Sequence, residues 1–141
     1  MSPYRFIDHT ADVAADLTGR SAAELFASAA QALTDTLTDR VLLSPITTER
    51  VQMDSGSLED LLVDWLNELL YRFEVRNLLV ADADVALRPD GDRWHLDAAV
   101  RGEPFDPARH PIRVLVKSAT YHSLQLVERD GHWSATIVFD I

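Results

Sequence analysis

Cysteine is absent from this 141-residue chain, and lysine occurs once, at Lys117, against twelve arginines. Without cysteine there are no disulfides, thiolate nucleophiles, Cys-based zinc sites or iron–sulfur clusters. The five histidines (His9, His95, His110, His122, His132) are scattered, with no H-E-x-x-H or H-x-H pair, so zinc is not expected. A bound metal would have to rely on carboxylate oxygens, which points to calcium, magnesium or manganese. No apolar run is long enough to span a bilayer. The start, Met1-Ser2-Pro3-Tyr4-Arg5-Phe6, has no basic region leading into an apolar stretch, so a cytoplasmic protein is expected. Positive charge is also short: 13 Lys and Arg face 23 Asp and Glu, for a net charge of −10. The arginines do not cluster. Such a surface repels phosphate backbones, so direct nucleic-acid binding is not expected. It suits a basic protein partner, although adaptation to a salty cytoplasm would leave the same composition.

What is present describes one domain, residues 1–141, with an ordinary 47% hydrophobic content. Tyr4–Asp8 and Val13–Leu17 read as strands joined by Asp8-His9-Thr10-Ala11-Asp12, a link too short for a helix. Ser21 and Glu24 have capping-box spacing, and Leu25, Phe26, Ala29, Leu33 and Leu37 trace one helical face. A strand is expected at Thr48–Met53. After Ser57 a wide stripe recurs at three and four: Leu58, Leu61, Leu62, Trp65, Leu66, Leu69, Leu70 and Phe73. Glu59, Asp60, Asp64, Asn67, Glu68 and Arg72 fill its other face. Strands follow at Leu79–Leu87, Trp94–Val100, Ile112–Lys117, Leu124–Arg129 and His132–Asp140, with tight turns at Asp90-Gly91 and Asp130-Gly131. The order ββαβαβββββ predicts an α+β fold, two helices on a mostly antiparallel sheet.

Register brings three residues to one sheet edge. With Asp130-Gly131 as a two-residue turn, Arg129 faces His132 and Asp140 falls opposite Tyr121. With Ser118–Tyr121 as the preceding turn, Lys117 faces His122. Lys117, His122 and Asp140 then converge, with the face of each left open. Asp140 and the carboxylate of Ile141 place two negative groups one residue apart. A hard cation or Lys117 would relieve their repulsion; a frayed, solvated end would do the same. Lys117 itself reads either as a lysine kept for its tunable ammonium or as one left over on a solvated strand. His122 is retained as an orienting residue only. Gly102–Asp106 with His110 reads as a partner-facing loop or as a plain link.

The segments Asp8-His9-Thr10-Ala11-Asp12, Leu62-Val63-Asp64-Trp65-Leu66-Asn67-Glu68-Leu69-Leu70, Gly102-Glu103-Pro104, Val116–His122 and Phe139-Asp140-Ile141 together resemble the archease family across the whole chain. The resemblance implies an accessory protein, not an enzyme, for an RtcB-type tRNA-splicing RNA ligase. Such a protein promotes the ligase's guanylylation and multiple turnover. It also implies a calcium or other divalent site at Asp12, Asp140 and the carboxylate of Ile141, with Lys117 as a functional lysine. Asp12 enters through the resemblance alone. The alternatives are a chaperone-like modulator of a tRNA cytosine methyltransferase and a metal-dependent hydrolase. Against the hydrolase, the chain shows no obvious nucleophile, paired base or Gly-rich phosphate loop.

Overall fold

The computed structural model describes residues 3–8, 12–120 and 126–141, with positions 7 and 8 described by their backbone alone. Two strands, β1 (Tyr4–Asp8) and β2 (Asp12–Gly19), open the chain as an antiparallel pair. The Ser21 hydroxyl then accepts the Glu24 backbone N–H at 3.0 Å, starting helix α1 (Ala22–Leu37) as its spacing predicts. After a short 3-10 turn at Arg40–Leu42 come β3 (Thr47–Ser55) and α2 (Leu58–Arg76). Helix α2 is capped at both ends. The Ser57 hydroxyl accepts from Asp60 at its start, and Asn77 adopts the left-handed conformation at its end. The chain then runs through β4 (Leu78–Asp90), β5 (Arg93–Pro104), β6 (Ser118–Thr120), β7 (Leu126–Arg129) and β8 (His132–Asp140).

The predicted α+β order is therefore observed, but the strands form two sheets rather than one. One runs β1-β2-β8-β6, with β7 also on β8; the other runs β3-β5-β4, and every pairing is antiparallel. Both helices contact both sheets. The core thus forms where Leu25, Phe26 and Leu33 of α1 meet Trp65, Leu66 and Leu69 of α2 and the inward faces of the strands. Trp65 is fully buried, and its indole N–H donates to the Phe26 carbonyl at 2.9 Å, tying the helices together. No helix among the described residues is long and apolar enough to cross a membrane.

Two expectations about the strands are corrected. The strand expected at Ile112–Lys117 is not one; those residues form an irregular connection, and pairing begins at Ser118. Ser118–Tyr121 is not a turn either, because Ser118–Thr120 lie in β6 against β8. The Asp130-Gly131 turn is as expected, with Arg129 opposite His132 and both central residues at positive φ.

Candidate functional site

Alternating hydrophobicity fixes the register of β2 on β8, because a slip of one residue would turn Phe139 and Ile137 out of the core. That register makes Asp12 the direct cross-strand partner of Asp140. On the other side of β8, Asp140 pairs with Ser118 rather than with the expected Tyr121, which lies outside the described residues. Directly opposed residues point to the same face. Asp12, Asp140 and Ser118 therefore share one face, while their neighbours Val13, Phe139 and Ala119 turn toward the helices. The Lys117 backbone N–H donates to the Asp140 carbonyl at 2.7 Å, which brings the lone lysine to the same end. Its side chain is exposed, as is Ile141, whereas Asp12 and Asp140 are half-buried.

These strand ends thus bring Asp12, Lys117 and Asp140 together, with Ile141 adjoining. The expected register brings Lys117 to Asp140 through a different partner, and Asp12 comes from the resemblance alone. His122 lies outside the described residues, and so does its expected pairing with Lys117. None of the ion pairs among the described residues involves Asp12, Asp140 or Lys117. Like charges directly opposite one another across a sheet are destabilising. This pair therefore gains from any cation that sits between them, and hard oxygen donors suit calcium or magnesium. No three His, Cys, Asp or Glu side chains gather as a metal site among the described residues. Two carboxylates alone do not complete the oxygen shell of such an ion.

On the opposite face of the same strand ends, a shallow cavity of about 210 Å³ lies between Phe6, Val13, Thr36 and Val114. A cavity of about 380 Å³ further along β2 and β8 is lined by Asp16, Thr18, Val127 and Thr136. There the Thr136 hydroxyl and the Arg5 guanidinium already satisfy Asp16, holding its carboxyl below the usual value.

The segment read as a polar loop or link is neither solvated nor idle. Glu103 is 2% exposed and His110 fully buried. His110 Nδ1 accepts the Asp106 N–H at 2.9 Å, so its Nε2 carries the proton and donates to Glu103 Oε1 at 2.6 Å. Arg109 and the Ser44 N–H complete the set at 2.8 and 3.1 Å. Burial pushes the Glu103 carboxyl up, but these three donors outweigh it and hold it below its ordinary value. The cluster fastens the 105–117 connection onto the body of the fold.

One residue that sequence reasoning misplaced stands close to the tip. Asn67 was assigned to the solvated face of α2, yet it is half-buried and bonds both backbone groups of Ala119. Its signal was its position four residues after Val63 and three before Leu70, both buried.

A model of the Archease protein family (MTH1598/TM1083) matches residues 4–141. Protein archease of Methanopyrus kandleri is 36% identical over 139 residues, covering 99% of each chain. Protein archease of Methanosarcina mazei is also 36% identical over 139 residues, covering 98% of this chain and 95% of that one. The solution structure of Methanobacterium thermoautotrophicum protein 1598 superposes with a TM-score of 0.83 at 29% identity, over the full length of both chains. A Thermotoga maritima crystal structure, described as an archease and possible chaperone, shares the fold with a TM-score of 0.57 at 20% identity. It covers 96% of this chain and 94% of that one. With the family model spanning residues 4–141 and relatives 36% identical over nearly the whole length, this chain belongs to the archease family.

Proposed function

We propose that this chain is an accessory protein that activates an RtcB-type RNA ligase in tRNA splicing, promoting its guanylylation and repeated turnover. Asp12, Asp140 and the carboxylate of Ile141 hold a divalent cation, calcium by preference, with Lys117 beside them. The observation that carries this reading is the direct pairing of Asp12 with Asp140, with no basic partner for either among the described residues. When bound, the cation would offset the repulsion between two carboxylates set opposite one another. Lys117 presents an exposed side chain at the same end, where its backbone N–H bonds the Asp140 carbonyl. The net charge of −10 directs this end toward a basic surface on the partner. Binding favours guanylylation only insofar as the tip has higher affinity for the ligase conformation competent for it.

Stimulation of ligase guanylylation by D12A, D140A and K117A tests the reading, with circular dichroism confirming that each variant folds. Each should lose about tenfold or more, and K117R should not restore activity, because a guanidinium fork is not a compact ammonium. Calorimetric titration of calcium should show uptake by the wild type and none by D12A or D140A. Folded variants that all stimulate like the wild type would sink the proposal.

A second reading, a chaperone-like modulator of a tRNA cytosine methyltransferase, draws on the Thermotoga maritima relative being described as a possible chaperone. Co-purification of a methyltransferase instead of a ligase favours it. Phosphoester hydrolysis by the isolated protein would favour a metal-dependent hydrolase.

A further inference from the structure

We propose that Asn67 is a positioning residue for the acidic tip, acting through β6; the inference rests on reading that tip as the functional end. Among the described residues, the strand it holds spans only Ser118–Thr120. One edge of β6 pairs with β8, which sets Ser118 against Asp140. The other edge carries no strand among the described residues. Asn67 takes the place of one. Its Nδ2 donates to the Ala119 carbonyl at 3.1 Å, and its Oδ1 accepts the Ala119 N–H at 2.8 Å. A side-chain amide thus reproduces the paired donor and acceptor that a neighbouring strand would present to that residue.

Only asparagine meets this demand at this reach. Aspartate lacks the donor, glutamine is one methylene longer, and leucine has neither group. The mounting is rigid as well. Val63, Leu66 and Leu70, at i−4, i−1 and i+3, are all buried, and Trp65 fixes α2 to α1. Helix α1 in turn packs on β2, the strand that carries Asp12. Both sides of the tip are therefore referred to the same pair of helices: Asp12 through α1 and β2, and Lys117 and Asp140 through Asn67 and β6. Without the clamp, Ser118–Thr120 have one ladder among the described residues to keep their register, and the Lys117 N–H bond to Asp140 lies at the start of that ladder.

The test compares wild type, N67A, D140A and L96V. Leu96 is fully buried in β5, in the other sheet, so L96V weakens the fold without touching the tip. Calcium affinity is read by calorimetry, and amide hydrogen exchange is followed at Lys117, Ala119, Ala15 and Ile137. N67A should stay folded, bind calcium about tenfold more weakly, and lose protection at Lys117 and Ala119 more than at Ala15 and Ile137. L96V should keep wild-type affinity. D140A should abolish uptake while Ala119 stays protected. If N67A lowers stability but moves affinity and local protection no further than L96V does, the positioning role is overturned. If the wild type takes up no cation, the metal reading falls and the positioning role with it, and loss of protection in N67A then marks only a structural clamp.

Discussion

A methyl group at position 102 would stand 1.9 Å from the Leu79 carbonyl oxygen and 3.0 Å from the Val80 Cα. These are backbone atoms that cannot swing aside. The crowding belongs to a bulge, since the β4–β5 register shifts between Val80 and Asp82 just where Gly102 pairs with Val80. The buried Thr34 hydroxyl caps the Val80 carbonyl there at 2.7 Å. G102A should therefore cost more than the ~1–3 kcal/mol of ordinary overpacking, read as a lowered urea midpoint; a loss below ~1 kcal/mol would show that the bulge relaxes. Its neighbour Glu103 predicts a pH dependence. The folded-state carboxyl lies below its ordinary value of 4.5, so its contribution is fully present above that value and is lost as pH falls through the depressed one. E103Q should be less stable than the wild type at pH 7 by ~1.5–3 kcal/mol, as expected for lost hydrogen bonds to a charged group. The gap should close on acidification below about pH 4.5; a gap that stays constant down to pH 2 would refute the assignment. Gly102 and Glu103 stood out in the sequence as a motif, but their burial did not. A glutamate followed by proline, aspartate and arginine reads as surface, and Ser44, one of its three donors, lies 59 residues away.

At the scale of elements, legibility followed periodicity. Both helices were evident because each carries a hydroxyl cap and a long apolar stripe, and β8 was evident because turn chemistry fixes one end and alternation the rest. The path back along β8 was not legible. Leu126 pairs with Ala135 and Thr120 with Val138, so the sequence advances six positions on one side of the ladder for three on the other. Counting back from the Asp130-Gly131 turn assumes an unbroken ladder, and the three extra residues change both partner and parity. They are what put Ser118, and with it Lys117, beside Asp140. The apolar run Ile112–Val116 misled for a related reason. Its alternation is real, with Val116 buried and Leu115 exposed, but the Arg113 N–H goes to the Leu37 carbonyl at the end of α1 rather than into a sheet. Periodicity reports which side chains face inward; it does not say what the backbone bonds to. Asn67 escaped for the same reason, since a polar residue on a helix flank gives no hint that a strand edge awaits it.

Across the whole molecule, charge is distributed unevenly. The solvent face of the three-stranded sheet is laced with opposite charges: Arg50 with Asp97, and Arg101 with Asp82 and Asp84. Those pairs screen one another and project little field. At the tip, Asp12 and Asp140 have no basic partner among the described residues, so their charge is not offset within the fold as that of the sheet pairs is. Uptake of the proposed cation would reduce that charge locally without reversing the net negative charge of the molecule. Association with a basic ligase surface should therefore be electrostatically steered, with salt acting on the approach rather than on the bound contacts. In stopped-flow mixing, the association rate constant should fall tenfold or more between 50 mM and 500 mM salt, with the dissociation rate changing far less. D12N and D140N should flatten that dependence, because they remove charge at the point of contact. The same field should keep the protein off tRNA on its own at physiological salt. An association rate indifferent to salt would overturn the steering and leave the acidic surface to solubility or to a salty cytoplasm.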